Sequence, residues 1–481
     1  MTEATEKKVT LGQAIIILGI TMVVLMLFAR NGGDFRIAVL MTWVIIFVAC
    51  LILRISWAKI FEACVTGIGK AMGALIILML VGAIIGSWMT SGTIAYVIRA
   101  GLLLVDPRVF YLATLILTSL MSVFTGTSLG SAGTAGVAMV SVGMVMGMNP
   151  GITAGAVICG ASFGDKMSPL SDTTNMCPVL TGGTLFRHIQ SMLYTTVIPY
   201  LFCIVFFLVL GISHGSGNAD LSNVHDAVTV IEGNFKISII VTLPIILVII
   251  LLILKMEVVP AMLLSIMSAV LISWLYQGVP LVNTMNNLWR GFAIKSGNSI
   301  IDTSMSRGGI TMLAPNVILM ILAVGMGSMF EKLGVLDALI GPFMEKLNSV
   351  VRMVLMGIGV SFATGMLTTT MTASEVITAR VLAKPFHDKG LAPEVLSRTI
   401  EDCCTLGAVL IPWHVMVVYY AGVLSISYLE FLPYLPICYL APIFAVLCAL
   451  TGKGIWYIDK EGNRISKEEH RKLYTGEFAL K

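Results

Sequence analysis

An all-α polytopic membrane protein is the fold class this sequence predicts, and three observations predict it. Of the 481 residues, 57% are hydrophobic and only 12% charged, whereas soluble domains carry about 25% charged residues. Apolar runs recur along the chain at the length that crosses a bilayer, about 20 residues. Lys and Arg fall mainly between those runs, as the positive-inside rule requires. Counting short and interrupted runs, the chain holds about 11 to 13 transmembrane segments.

The elements follow in order. The run 11–29 comes after Lys7 and Lys8 and ends at Arg30-Asn31-Gly32-Gly33. No small-residue cleavage site follows it, so it reads as a first transmembrane helix and not as a signal peptide. Runs near 37–53, 71–90, 109–124, 133–148, 152–163 and 190–212 complete an N-terminal half, residues 1–212. Residues 213–236 carry His214, Asp220, His225, Asp226 and Glu232 and read as a polar, extracytoplasmic connecting loop. Runs near 237–254, 258–276, 313–330, 350–363, 405–425 and 433–450 form a C-terminal half, residues 237–450. Residues 451–481 hold Lys453, Lys460, Arg464, Lys467, Arg471 and Lys472 and read as a cytoplasmic tail. The chain is expected in the cytoplasmic membrane as a multi-pass protein surrounded by lipid. A formal charge of +4 gives no ground for a nucleic-acid partner. The nine Cys show no spacing of the zinc or disulfide kind.

The stretch Cys159–Asn175 (CGASFGDKMSPLSDTTN) is the strongest polar anomaly. A charge at the bilayer centre costs at least ~2.5–3.5 kcal/mol, yet Asp165, Lys166 and Asp172 all sit here. Gly164 and Pro169 predict a break in the helix. Irregular backbone at membrane depth persists only when buried in protein or facing a watery cavity. Two carboxylates with Ser168, Ser171, Thr173, Thr174 and Asn175 supply hard oxygen donors of the kind small cations prefer. A carboxylate that takes either H⁺ or Na⁺, but not both, is the minimum machinery for exchanging them. The competing reading is a surface loop in which Ser171 or Asp172 caps a helix and Lys166 snorkels.

The second half repeats the pattern loosely. Phe362-Ala363-Thr364-Gly365-Met366 matches Phe124-Thr125-Gly126-Thr127-Ser128, each reading as a Thr-Gly break, a Thr-rich piece runs to Thr372, and Arg398, Glu401 and Asp402 follow. Interrupted segments at matching places in two halves point to an inverted repeat with the binding site between them. Arg398 and Glu401 are spaced to pair on a helix surface, either as a structural ion pair or as a second cavity wall. Glu375 reads as a cavity acid or an interfacial cap, His414 as a packing residue or a proton relay, and His188 as interfacial. Asp302 is a weaker cavity candidate. The Gly-rich stretch 126–136 lacks the Gly-Lys-Ser/Thr ending of a nucleotide loop and reads as close helix packing or a re-entrant hairpin. No hydrolase elbow or metalloprotease motif appears.

Phe163-Gly164-Asp165-Lys166-Met167-Ser168-Pro169-Leu170-Ser171-Asp172-Thr173-Thr174-Asn175, with Leu185-Phe186-Arg187-His188-Ile189 after it, resembles the NhaC-type sodium/proton antiporters. Gly390-Leu391-Ala392-Pro393, Leu396-Ser397-Arg398, Glu401-Asp402 and Ile411-Pro412-Trp413 are similar to the same family. The resemblance implies a secondary antiporter with inverted repeats and re-entrant hairpins, not an enzyme, and with no cofactor. Na⁺ and H⁺ are then the transported ligands and pH homeostasis the role. On this expectation Asp165 and Asp172 hold sodium in competition with a proton, and Ser168, Thr173 and Asn175 add neutral oxygens. Glu401 and Asp402 close the opposite wall, with Lys166 and Arg398 as charge partners. Some relatives exchange Na⁺ and lactate for malate and H⁺. The Thr-rich piece Met366–Thr372 and Cys403-Cys404 depart from the antiporter pattern, so a small carboxylate as co-substrate is the alternative. A homodimer is compatible with either reading.

Overall fold

The computed structural model describes residues 9–30, 34–215, 221–254, 256–297, 301–302, 305–306, 308–340 and 348–474. In the first half the helices are α1 (Leu11–Arg30), α2 (Phe35–Leu53), α3 (Trp57–Lys70), α4 (Met72–Thr90), α5 (Thr93–Leu104), α6 (Phe110–Thr125), α7 (Ser128–Val145), α8 (Pro150–Met167), α9 (Asp172–Thr181) and α10 (Leu185–Gly215). There follow α11 (Leu221–Asn234), α12 (Leu243–Ile253), α13 (Val258–Leu275), α14 (Leu281–Arg290), α15 (Ile310–Leu333) and α16 (Val335–Ile340). The second half ends with α17 (Val350–Thr368), α18 (Met371–Asp388), α19 (Pro393–Leu410), α20 (Val415–Leu424), α21 (Tyr428–Tyr434) and α22 (Pro436–Thr451). The tail folds as a hairpin of β1 (Tyr457–Ile458) and β2 (Arg464–Ile465), followed by α23 (Lys467–Leu473). Among the described residues nine helices are long and apolar enough to span a membrane, or up to twelve with three bent pairs counted as spans.

The exposed faces of α1, α2 and α10 are apolar, with Ile15, Ile16, Val23, Ile52, Val197 and Leu201 outermost. In water such faces would have to be covered; in lipid they are already solvated. The polar groups turn inward instead.

Element boundaries recur at one offset, 243 residues. Thr125 and Thr368 end α6 and α17, Ser128 and Met371 open α7 and α18, and Pro150 and Pro393 open α8 and α19. Asp172–Thr181 and Val415–Leu424 match end for end. Proline suits these first helical positions because its missing N–H would have no intrahelical partner there.

Close contacts give the directions. Gly160 meets Leu115 and Thr118, and Gly164 meets Ser119 and Ser122, so α6 and α8 run side by side the same way. Gly136 meets Val157 and Gly143 meets Phe110, so α7 returns. The pair α6–α7 is thus a re-entrant hairpin with its tip at Gly126-Thr127. In the second half Gly357 meets Leu396 and Thr399, and Gly407 meets Phe362, so α17–α18 forms the matching hairpin beside α19. The repeats are antiparallel. Gly151 at the start of α8 lies against the Glu430 carbonyl beyond the end of α20, while Gly183 beyond the end of α9 lies against Pro393 at the start of α19.

Three expectations change. Residues 213–236 are not simply a loop, because α10 continues to Gly215 and α11 covers Leu221–Asn234, where Glu232 pairs with Arg99 at 2.6 Å. The side chains of His214, Asp220, His225 and Asp226 lie outside the described residues. The α8 helix runs through Gly164 to Met167, so the break falls at 168–171. Gly164 serves close approach, since a Cβ there would lie 2.4 Å from Ser122 Cβ. In the second half the turn is at Thr369-Thr370 and not at Thr364-Gly365, because α17 runs to Thr368.

All nine cysteines are buried, so new surface thiols can be labelled selectively. Arg108→Cys, beside the first hairpin, and Asp388→Cys, at the end of the second, should react with a membrane-impermeant maleimide from opposite sides of sealed vesicles. Labelling of both from one side contradicts the antiparallel repeats.

Candidate ion-binding site

The two hairpin tips and the two helix breaks line one cavity of about 1290 Å³. Its floor is made by Thr125–Leu129, Asp165, Leu170–Thr173, Thr368, Thr370–Ala373 and His414–Met416. Gly126 makes the first tip possible: its φ is +67°, and a Cβ would come 2.6 Å from the Leu170 carbonyl carbon. The second tip has no glycine. Thr369 takes φ 60° instead, a conformation that β-branched residues rarely adopt. Its carbonyl accepts the Val415 N–H at 3.0 Å, which fastens the tip to the second break.

Asp165 is the centre of the first half-site. It is buried, with 4% exposure. Its Oδ2 accepts from the Ser128 N–H at 3.1 Å and the Ser128 hydroxyl at 2.6 Å, and its Oδ1 accepts from the Ser171 hydroxyl at 2.7 Å. One carboxylate therefore joins hairpin tip, helix end and break. It sits at the start of α7, where backbone N–H groups point outward and favour negative charge. Asp172, the first residue of α9, is exposed on the cavity floor within electrostatic range of Asp165. Thr173 lines the cavity, with its hydroxyl 3.1 Å from that of Ser171.

Two of the expected neutral donors do other work. Ser168 donates to the Val123 carbonyl at 2.7 Å and accepts from the Leu170 N–H at 3.2 Å. Asn175 donates to the carbonyls of Pro169 (2.8 Å) and Ser171 (2.7 Å). Asn175 thus caps the Pro169 carbonyl inside the break, and Ser168 ties the break to α6. The oxygens facing Asp165 come instead from Ser128 and Ser171. The motif Gly126-Thr127-Ser128 carried a sequence signal for the former, but nothing in the spacing tied it to Asp165.

The charge partners also differ from expectation. Lys166 forms a fully buried ion pair with Asp402, whose Oδ1 also accepts from the Thr195 hydroxyl at 2.9 Å. Arg398 pairs with neither Glu401 nor Asp402 among the described residues. Its Nη1 donates to the Gly454 carbonyl at 2.9 Å and the Ser191 hydroxyl at 3.2 Å, so it ties α19 to α10 and to the tail. Glu401 is fully buried, and its Oε2 accepts from the Thr405 hydroxyl.

Glu375 on α18, left between two readings by the sequence, is fully buried. Neither of its oxygens has a hydrogen-bond partner among the described residues. It lies within electrostatic range of Glu401 and Asp165. His188 is buried, not interfacial, and its Nδ1 is 2.7 Å from the Ser397 hydroxyl. Asp302 accepts from Ser296 and does not line the cavity.

Breaking a buried ion pair by removing one partner costs about 3–5 kcal/mol, because a charge is left unpaired. Lys166→Met should therefore lower the thermal unfolding temperature of the purified protein, and adding Asp402→Leu should recover most of the loss. A single variant as stable as the parent contradicts a structural ion pair.

Comparison with known proteins gives the family. The model of the Na⁺/H⁺ antiporter family matches residues 1–174 and 160–453. The chain is 33% identical to the malate-2H⁺/Na⁺-lactate antiporter of Bacillus subtilis, over 93% of this chain and 96% of that protein. It is 31% identical to the Na⁺/H⁺ antiporter NhaC of Alkalihalophilus pseudofirmus, over 94% of this chain and 97% of that one. The arginine/ornithine antiporter ArcD of Halobacterium salinarum is 27% identical over 84% of each chain. With both repeats, hairpins and breaks inside the matched region, the chain is a secondary transporter and belongs to the Na⁺/H⁺ antiporter family.

Proposed function

We propose that this chain exchanges Na⁺ for H⁺ across the cytoplasmic membrane by competition at Asp165. The observation that carries the reading is the setting of that carboxylate: buried, at the floor of an open cavity, and surrounded by hydroxyl oxygens of Ser128 and Ser171. A proton on Asp165 leaves those hydroxyls free to accept or donate elsewhere. A sodium ion needs the same carboxylate ionised, with the hydroxyl oxygens turned to act as acceptors. The two occupants exclude each other, and that exclusion couples their fluxes. Asp172 and Thr173 add oxygen on the approach to the site. Glu401 and Glu375 form a buried acidic wall behind it, and the Lys166–Asp402 pair holds α8 to α19. No cofactor enters this scheme.

The cavity mouth carries Lys59, Lys70, Lys332 and Arg380 with Glu62, Glu257 and Glu331. Lys384 and Lys389 continue along and just past α18 from Arg380, and the tail is held there by the Tyr457–Leu391 bridge. Arg108 stands at the start of α6, the end away from the cavity floor. By the positive-inside rule the mouth faces the cytoplasm, which makes this the inward-open state.

A second reading, exchange that includes a small organic anion, is favoured by one observation. The cavity far exceeds what a sodium ion fills, and pockets for small molecules run about 300–1,000 Å³. Malate, lactate, arginine and ornithine, the solutes in the names of two relatives, all bear a carboxylate.

In proteoliposomes with a pH-sensitive dye inside, a Na⁺ pulse should move protons with no organic anion present. Asp165→Asn should abolish that movement while the protein still inserts. Asp172→Asn should keep the maximal rate and raise KM for Na⁺ about fivefold, since one solvated charge pair contributes about 1 kcal/mol. Normal exchange by Asp165→Asn contradicts the reading.

A further inference from the structure

Two hydroxyls donate to Asp165, Ser128 Oγ to Oδ2 at 2.6 Å and Ser171 Oγ to Oδ1 at 2.7 Å. A hydroxyl has one hydrogen to give and two lone pairs to offer. To coordinate a cation it must turn its lone pairs to the ion and its hydrogen away. That hydrogen then needs another acceptor, because a buried donor left unmade is costly. Ser171 has one at hand, since its oxygen lies 3.1 Å from that of Thr173.

For Ser128 the structure offers a different pair. The hydroxyl of Tyr420, on α20, stands beside those of Ser128 and Ser162 and within electrostatic range of Asp165. Tyr420 is fully buried and Ser162 nearly so. Neither of these two hydroxyls makes a hydrogen bond among the described residues. Buried side-chain polar atoms in folded proteins nearly always have a partner. Two unpartnered hydroxyls next to a donor of Asp165 therefore ask for a state in which they are used.

Both repeats hold them in place. Tyr419 Oη donates to the Leu129 carbonyl at 2.7 Å, and a Cβ on Gly133 would come 2.6 Å from the same hydroxyl. That contact lays α20 against the start of α7 and brings Tyr420, the next residue, to Ser128. Ser162 lies three residues before Asp165 on α8, the spacing of side chains that are neighbours on one helix surface.

We propose that Tyr420 and Ser162 are positioning residues for sodium at Asp165, acting through Ser128. When Na⁺ binds, Ser128 turns its oxygen to the ion. Its O–H then donates to Tyr420 Oη, and the Tyr420 O–H donates to Ser162 Oγ. Asp165 Oδ2 keeps the Ser128 N–H. A proton asks for no such turn. It sits on Oδ1, with Ser171 turned to Thr173, while Oδ2 goes on accepting from Ser128. The hydroxyl relay thus favours the cation and leaves the proton's affinity alone. The proposal rests on the reading of Asp165 as the group that H⁺ and Na⁺ share.

Na⁺-induced thermal stabilisation of the purified full-length protein tests it, with Na⁺ titrated against choline at constant ionic strength and at several pH values. In the parent, the half-saturating Na⁺ concentration should rise as pH falls, because protons compete. Tyr420→Phe, which removes the hydroxyl and keeps the ring, should raise that concentration about fivefold, the usual worth of one hydrogen bond. The factor should be the same at every pH, since only the sodium affinity changes. Ser162→Ala should act in the same direction to a smaller degree, and it decides by the same readouts if Tyr420→Phe fails to fold. Because Tyr420 acts through Ser128, the double variant Ser128→Ala/Tyr420→Phe should bind Na⁺ as Ser128→Ala does. Parental Na⁺ affinity in Tyr420→Phe overturns the proposal, and so do additive losses in the double variant. A fold-change that varies with pH also overturns it, because it reports a disturbed carboxylate. All three results leave the Asp165 reading standing. Half-saturation in the parent that ignores pH removes the Asp165 reading and this proposal with it.

Discussion

A polar group at membrane depth has to find its partner inside the protein, and most of this structure follows from that requirement. Every helix break exposes carbonyls and N–H groups that lipid cannot satisfy. The breaks are therefore placed against one another. The first is capped by Asn175, tied to α6 by Ser168 and fastened to its hairpin tip through Asp165. The second is fastened through the Val415 N–H on the Thr369 carbonyl. The helix starts created by these interruptions converge on one cavity, and their positive ends make the floor a place where anionic groups are stabilised.

The same requirement separates structural charges from available ones. Lys166 and Asp402 pair at no exposure to solvent, and Arg398 Nη1 is held by Ser191 and Gly454, while Asp402 Oδ2 and Arg398 Nε and Nη2 stay buried without a partner among the described residues. What remains open at the cavity floor is Asp165, with Asp172 beside it. Glu375 is buried with unpartnered oxygens, and Glu401 has one oxygen in the same condition. Carboxylates in that condition are expensive unless they take a proton or a cation, which is the chemistry an exchanger uses.

Fold class, approximate span count and the polar stretch around Asp165 were legible in the sequence because each has a local signal: length of an apolar run, or a charge inside one. Pairing was not. Lys166 and Asp402 are 236 residues apart, and only the antiparallel packing of the repeats joins them. Arg398 and Glu401 have helix spacing, but spacing permits a contact without requiring it, and tertiary partners took the guanidinium elsewhere. The second hairpin tip was misplaced because Gly365 is the better turn residue by propensity. It remains inside α17, and Thr369 takes the left-handed conformation under tertiary restraint. Glu375 stood alone in the sequence between Thr-rich and apolar residues, with no local feature to separate a buried acid from an interfacial cap.

The account stands on mutual exclusion of H⁺ and Na⁺ at Asp165, and proton release on binding measures that directly. Sodium can be titrated into purified protein by calorimetry in two buffers of different ionisation enthalpy at one pH. The account predicts that the observed heat differs between buffers for the parent, reporting protons released as Na⁺ binds, and that this difference vanishes in Asp165→Asn. Sodium binding with the same heat in both buffers, or release that persists without the Asp165 carboxylate, would contradict it.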